Sequence, residues 1–190
     1  TNTGNGGVAA GLESPVTISD TGAIDAGTLG SMVDLVDGYG DDDVVTVSSN
    51  ATTLTGTQAE VENLMDDFAE DHIVGIDALA VTLDDGADNT AANIGAIQAF
   101  TSGVVTATVE TEVLATLVNS STGLVAGNDA LTITVADDAL AAASLVTLDA
   151  TTTIPITLSS TDQTISGNAA DVTAVFSSSG ITKSQADANV

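Results

Sequence analysis

Residues 45–65 read VTVSSNATTLTGTQAEVENLM and residues 156–176 read ITLSSTDQTISGNAADVTAVF. The two stretches align without a gap at an offset of 111 (156 − 45), with seven of 21 positions identical. The identities are Thr46/Thr157, Ser48/Ser159, Ser49/Ser160, Thr53/Thr164, Gly56/Gly167, Ala59/Ala170 and Val61/Val172. Each stretch opens on an apolar–Thr–apolar phrase whose period of two is that of a strand with one buried face. A Gly follows, and then helical spacing: Val61, Leu64, Met65 and Phe68 fall at i, i+3, i+4 and i+7, one apolar stripe. Thr57-Gln58-Ala59-Glu60 opens that helix as a capping box, in which Thr57 and Glu60 satisfy each other's free amides. Strand, turn, cap and helix recurring in order are the mark of an internal repeat.

The strand phrase occurs six times, centred on Thr17, Thr46, Thr82, Thr106, Thr132 and Thr157. The intervals are 29, 36, 24, 26 and 25 residues, a mean of 28, so the offset of 111 spans four units. Weaker helical spacing fills the gaps: Leu29, Met32, Val33 and Val36; Ile94, Ile97 and Phe100; Val113, Leu114, Leu117 and Val118; Leu140, Leu145 and Leu148; Val172, Val175 and Phe176. Strand, crossover helix and strand make the unit of a parallel sheet. Strands buried on both faces read as unbroken apolar runs, whereas these alternate with Thr and Ser. The expectation is therefore α/β: a repetitive β/α solenoid with a one-sided parallel sheet of about six strands and helices on one face. An open doubly wound sheet, which would bury the Thr face, is the alternative. Pro155, at the start of the last phrase, fits an edge strand. Residues 1–14 read as an N-terminal lead or linker, 15–180 as a single repeat domain, and 181–190 as a linker or the start of a next repeat.

Composition narrows the function. The net charge is −26, from 27 acidic residues against one basic residue, Lys183. That leaves no basic patch for phosphates, so no nucleic-acid partner is expected. An anionic membrane surface would repel the chain, and no apolar run is long enough for membrane insertion. With 43% apolar residues this is still a sequence that can bury a core. There is no Cys, hence neither a disulfide framework nor a thiolate metal site. His72 is the only histidine and has no second His or Cys to share a zinc or catalytic role. The motifs of phosphate-binding loops, dinucleotide folds and serine hydrolases are missing as well. The chain reads as a non-enzyme.

Two kinds of candidate site remain. Gly38-Tyr39-Gly40-Asp41-Asp42-Asp43-Val44 matches one copy of the core of calcium-binding nonapeptide repeats, and Gly127-Asn128-Asp129-Ala130-Leu131 echoes its latter half. Asp41, Asp43 and Asp129 are thus candidate ligands for Ca2+, whose hard-cation chemistry prefers carboxylate and carbonyl oxygens. Asp84 and Asp88, in a second acidic turn, are further candidates. The other candidate is the Thr rank on the exposed sheet face (Thr17, Thr46, Thr82, Thr106, Thr132 and Thr157), as a binding surface for a glycan or other regular surface.

With the V-T-[IVL]-[ST] strand, the T-G-T-x-A-E/D-V helix opening and the Cys-free acidic composition in hand, the chain resembles a known group. It looks like the tandem repeats of very large secreted surface proteins of marine bacteria and cyanobacteria. It is similar in composition to adhesin and S-layer proteins that carry calcium-binding repeats, over about residues 15–180. The resemblance implies a secreted, cell-surface location and a structural role as a spacer, surface-layer or fibre-forming segment. Its implied partners are copies of itself or flanking repeats, and the alternative role is an adhesin-type binding module for a surface glycan. If Asp41, Asp43 and Asp129 hold Ca2+, thermal melting with calcium should occur at a higher temperature than with chelator at matched ionic strength. Equal midpoints would reject specific sites.

Overall fold

The computed structural model describes residues 16–37, 44–84, 89–159 and 163–182, and over these the chain is α/β. Strands β1 (Val16–Ile18) and β2 (Gly22–Asp25) lead into helix α1 (Ala26–Asp37). Strands β3 (Val45–Val47) and β4 (Ala51–Gly56) lead into α2 (Gln58–Ala69). Strands β5 (Ile73–Val74) and β6 (Ala80–Leu83) lead into α3 (Ala91–Phe100). Strand β7 (Val105–Thr108) precedes the single-turn α4 (Leu114–Leu117). Strands β8 (Ala130–Thr132), β9 (Thr134–Val135) and β10 (Ala139–Ala141) precede α5 (Ala142–Asp149). Strands β11 (Ile156–Leu158) and β12 (Thr164–Ser166) precede α6 (Ala169–Ser177), and β13 (Ile181–Thr182) comes last. Each passage from strand to the end of its helix is one unit, and the described residues hold six such passages, with β13 beyond the last.

Every strand pairing is parallel and joins one unit to the next. The helices follow suit, α1 packing on α2, α2 on α3, and so on to α6. The 111-residue offset maps element onto element: β3 onto β11, β4 onto β12 and α2 onto α6, with Val45, Thr53 and Gln58 matching Ile156, Thr164 and Ala169. The caps correspond too. Thr57 Oγ1 accepts the Glu60 N–H while Glu60 Oε2 accepts the Thr57 N–H, and 111 residues on Asn168 Oδ1 accepts the Asp171 N–H. The shared glycine has a steric cause. A Cβ on Gly56 would sit 3.0 Å from the Cβ of Ala26, and one on Gly167 would sit 3.0 Å from that of Ala142. Ala26 and Ala142 are the first helical residues of the preceding units, so the glycine lets successive helix starts stack closely.

The single sheet of about six strands expected from the sequence is not what forms. Among the described residues the strands make four sheets, in the orders β1-β3-β5, β2-β4-β6-β7-β8, β10-β12 and β13-β11-β9. The cause is a corner inside the unit. After β3 the chain turns at Ser48, whose carbonyl accepts the Ala51 N–H at 3.1 Å and whose hydroxyl accepts the Asn50 N–H at 3.4 Å. The ladder therefore splits into two walls. Near Ile133 a single extended stretch also changes partner, β8 pairing back to β7 and β9 pairing forward to β11.

The Thr rank splits with the sheets. Thr17 faces Thr46 in one sheet, Thr82 faces Thr55 and Thr106 in another, Thr132 faces Thr108, and Thr157 faces Thr134 and Thr182. Two smaller expectations change as well. Pro155 precedes β11, which pairs on both edges and is not an edge strand; just outside the strand, proline costs the ladder no amide. Leu140 lies in β10, and the helix begins only at Ala142.

Alternation itself holds. Thr17, Thr106, Thr132 and Thr157 are exposed, and Thr46 and Thr82 are half-buried. Their neighbours Val45, Val47, Val81, Leu83, Val105, Leu131, Ile133, Ile156 and Leu158 are buried in one apolar cluster that runs through all units. Stacking leaves little room at the unit boundaries. A Cβ on Gly103 would fall on the Leu79 carbonyl oxygen and, at 2.5 Å, on the Ala80 nitrogen of the preceding unit. Gly103→Ala should therefore destabilise by several kcal/mol, about the cost of core overpacking or more. Gly30→Ala, in a helix with only Leu64 Cδ2 nearby at 3.9 Å, should instead stabilise by about 0.5–1 kcal/mol. Denaturant melts of both variants check the contrast.

Candidate functional site

Asp129 is where sequence and structure meet most informatively. It follows the 118–128 loop and immediately precedes β8, and only 8% of its surface is exposed. Its Oδ1 accepts the Val105 N–H at 2.6 Å, and its Oδ2 accepts the Gln98 Nε2–H at 2.6 Å. Gln98, on α3, also spans the Val125 backbone, donating to its carbonyl at 3.1 Å and accepting its N–H at 2.9 Å. The Asp129 carbonyl accepts the Thr153 N–H at 2.8 Å. One residue thus ties the third, fourth and fifth units together. Beside it lies a groove of about 250 Å3, lined by Gln98, Thr101, Ser102, Val125, Asn128 and Asp129 among others. A cation at this carboxylate would compete with two N–H donors.

The other calcium candidates fare differently. Asp84 is exposed, and its N–H donates to the Gly56 carbonyl at 3.0 Å. Asp41, Asp43 and Asp88 lie outside the described residues. Among the described residues no three His, Asp or Glu side chains converge to hold a metal ion. His72 ends the α2 region, with Nδ1 3.8 Å from Glu70 Oε2.

Other acids repeat the role of Asp129 without having drawn attention in the sequence. Glu112 Oε1 accepts the Ala91 N–H at 2.8 Å, and Asp137 Oδ2 accepts the Leu114 N–H at 2.7 Å. Each reaches back 21 or 23 residues to the start of the preceding unit's helix, where amides lack intrahelical partners and negative charge is favoured. Asp25 does the same within its own unit: Oδ1 accepts the Thr28 hydroxyl and N–H, and these bonds hold its pKa below the usual carboxylate value. Asp67 is the counterexample. Burial, aided by Asp34 on the neighbouring helix, raises its pKa above 3.8, only partly offset by His72. Folding thus favours its protonated form, and the destabilisation is absent below the unfolded carboxyl's value, sets in as pH rises past it and is complete above the raised folded value.

Hydroxyls serve the helix-to-strand corners in a third pattern. Thr101, Thr152 and Ser178 each accept the N–H two residues on, from Gly103, Ile154 and Gly180, at 2.9, 3.0 and 2.9 Å. Each also donates to the preceding unit: Thr101 to the Leu79 carbonyl, Thr152 to the Leu131 carbonyl and Ser178 to Asp149 Oδ2. A sequence signal existed for two of these corners, in Phe100-Thr101-Ser102-Gly103 and Phe176-Ser177-Ser178-Ser179-Gly180.

Replacing Asp129 with Ala removes two charge-assisted bonds and strands a buried amide, so stability should fall by about 2–4 kcal/mol. Thermal or denaturant melts should show the same loss with calcium and with chelator, as a carboxylate engaged by the chain's own N–H groups requires. No helix among the described residues is long and apolar enough to cross a membrane. The chain matches no protein-family model, no curated protein and no solved structure.

Proposed function

We propose that the chain is an extracellular structural repeat module, a β/α solenoid that serves as a spacer, surface-layer or fibre-forming segment. In this reading it works by end-to-end stacking of its units with flanking repeats or further copies. The observation that carries the proposal is the correspondence at 111 residues, where β3, β4 and α2 recur as β11, β12 and α6 with equivalent caps and the same close-approach glycine. A protein whose units interlock by the same parallel joint gains length by adding units, and its stability is close to a sum of unit and neighbour terms. Acidic side chains turned inward as amide acceptors support a scaffold role, because they are already engaged in holding units together. Secretion to the cell surface and calcium support at the acidic turns belong to the same proposal, through the resemblance to secreted repeats.

A second reading, an adhesin that grips a surface glycan, draws on the outward Thr55, Thr82 and Thr106, which lie opposite one another in register. Lys at Thr82 and Thr106 would abolish such binding and leave a scaffold's assembly unchanged.

The scaffold reading is tested by adding a unit. A second copy of residues 134–156 inserted after Ile156 keeps register, because Thr134 and Thr157 are already partners. The enlarged chain should fold cooperatively, melt within a few degrees of the original and scatter X-rays as a longer particle by about 5 Å or more per unit. An unfolded or aggregated product would overturn the reading.

A further inference from the structure

We propose that the groove beside Asp129 binds a primary ammonium group carried on an aliphatic stem, the chemistry of a lysine side chain or of a free alkylamine. The inference stands apart from the scaffold reading, because the groove forms within the third, fourth and fifth units whatever the chain's role.

The first observation is a buried charge without a counter-charge. Only 8% of the Asp129 surface is exposed, and the two groups that meet its carboxylate, the Val105 N–H and the Gln98 Nε2–H, are both neutral. Among the described residues no cationic group pairs with it, and the chain has little to offer: its one basic residue, Lys183, lies outside them. Buried charges are ordinarily paired, so the matching cation comes from outside the described fold. An ionised carboxyl has about four lone-pair sites. The two N–H donors take one on each oxygen, which leaves two. A metal ion competes with those donors, since calcium wants six to eight oxygens around it. An ammonium instead brings three N–H groups of its own and uses the lone pairs that remain.

The second observation is what borders the groove. Its volume of about 250 Å3 is smaller than the pockets that hold drug-sized ligands, and suits one side chain or one small amine. The Ser102 hydroxyl and the Asn128 carboxamide border it, and neither side chain makes a hydrogen bond among the described residues. Their oxygens are acceptors for the N–H groups of an ammonium whose first bond goes to Asp129. Val104 and Val125, 45% and 46% exposed, border it as well. An aliphatic stem covers these side chains with its methylenes while its charged end reaches the carboxylate. A neutral sugar meets the polar groups but gains nothing from the charge, and an anion is repelled. The net charge of −26 biases the whole field around the groove toward cations.

Heteronuclear NMR of the full 190-residue chain, titrated with n-butylammonium chloride in physiological salt, tests the site. The amide signals of Val104, Val105 and Asn128 and the side-chain signal of Gln98 should move together and saturate. Those of exposed acids away from the groove, such as Asp66 and Asp71, should move no more than they do with added NaCl. Asn128→Lys supplies an ammonium to the groove from within the chain, so it should abolish the saturable response. It should also raise the melting temperature more than Thr122→Lys, an exposed position of the same loop that does not border the groove and controls for the added positive charge. Asp129→Asn, where its circular dichroism spectrum is unchanged, should bind about tenfold more weakly or worse, the worth of one charge-assisted bond. Nα-acetyl-lysine N-methylamide separates the sources: saturation by both probes points to a lysine of a partner protein, and saturation by butylammonium alone to a free amine. Glucose giving the same saturable shifts, or butylammonium shifts that do not saturate or that NaCl reproduces, would overturn the proposal. So would an Asn128→Lys chain that binds like the wild type and melts no higher than Thr122→Lys.

Discussion

The constraint on which the structure depends is that short parallel strands cannot satisfy their own backbone. Strands of two to six residues expose as many amides and carbonyls as they contain, and each must be met by the unit before or after it. Where the register runs true, as from Thr55 through Thr82 to Thr106, backbone meets backbone. Where the chain turns a corner or starts a helix, the ladder stops and side chains take over. Glu112, Asp137 and Asp129 accept amides of the preceding unit. Thr101, Thr152 and Ser178 bridge the corners, and Asn89 donates to the Thr108 carbonyl at 2.9 Å. The composition rich in Asp, Thr and Ser is, to this extent, what the joints consume.

That use of acids also explains how so negative a chain can fold. A carboxylate aimed at a helix start or an unpaired strand amide interacts favourably with backbone dipoles, so part of the charge is compensated without a basic residue. At Asp67 the environment acts the other way: its own burial and the like charge of Asp34 on the neighbouring helix both disfavour its ionised form, and His72 offsets them only in part. Long-range repulsion then makes both the fold and any contact between copies more favourable in salty media.

Much of the fold was legible in the sequence. The 111-residue offset located strands, glycine, cap and helix of two units, because steric and capping demands there admit few residue types. The apolar alternation placed the outward threonines. What misled was the phrase itself. The interval of 36 residues between Thr46 and Thr82 joins non-equivalent strands, since Thr46 pairs with Val74, 28 residues on, and Thr82 pairs with Thr55, 27 residues back. The strand Ile73–Val74 is two residues long and ends at a glycine, so it carries no Thr to announce it. The corner that divides the sheet rests on hydrogen bonds of Ser48 that no periodicity records. Asp129 stood out as an acid in a glycine turn, but its partners Gln98 and Val105 lie 31 and 24 residues back and become neighbours only when units stack.

The central claim is that equivalent strands of successive units lie parallel and one step apart. The absence of cysteine allows spin labels to be placed at will, and Thr55 and Thr106 flank Thr82 in the same sheet, two steps apart. Labels on Cys substituted at these two positions should show strong dipolar broadening, in keeping with a backbone separation of about 10 Å. A separation beyond about 20 Å, outside the span of two strand spacings, would contradict the account.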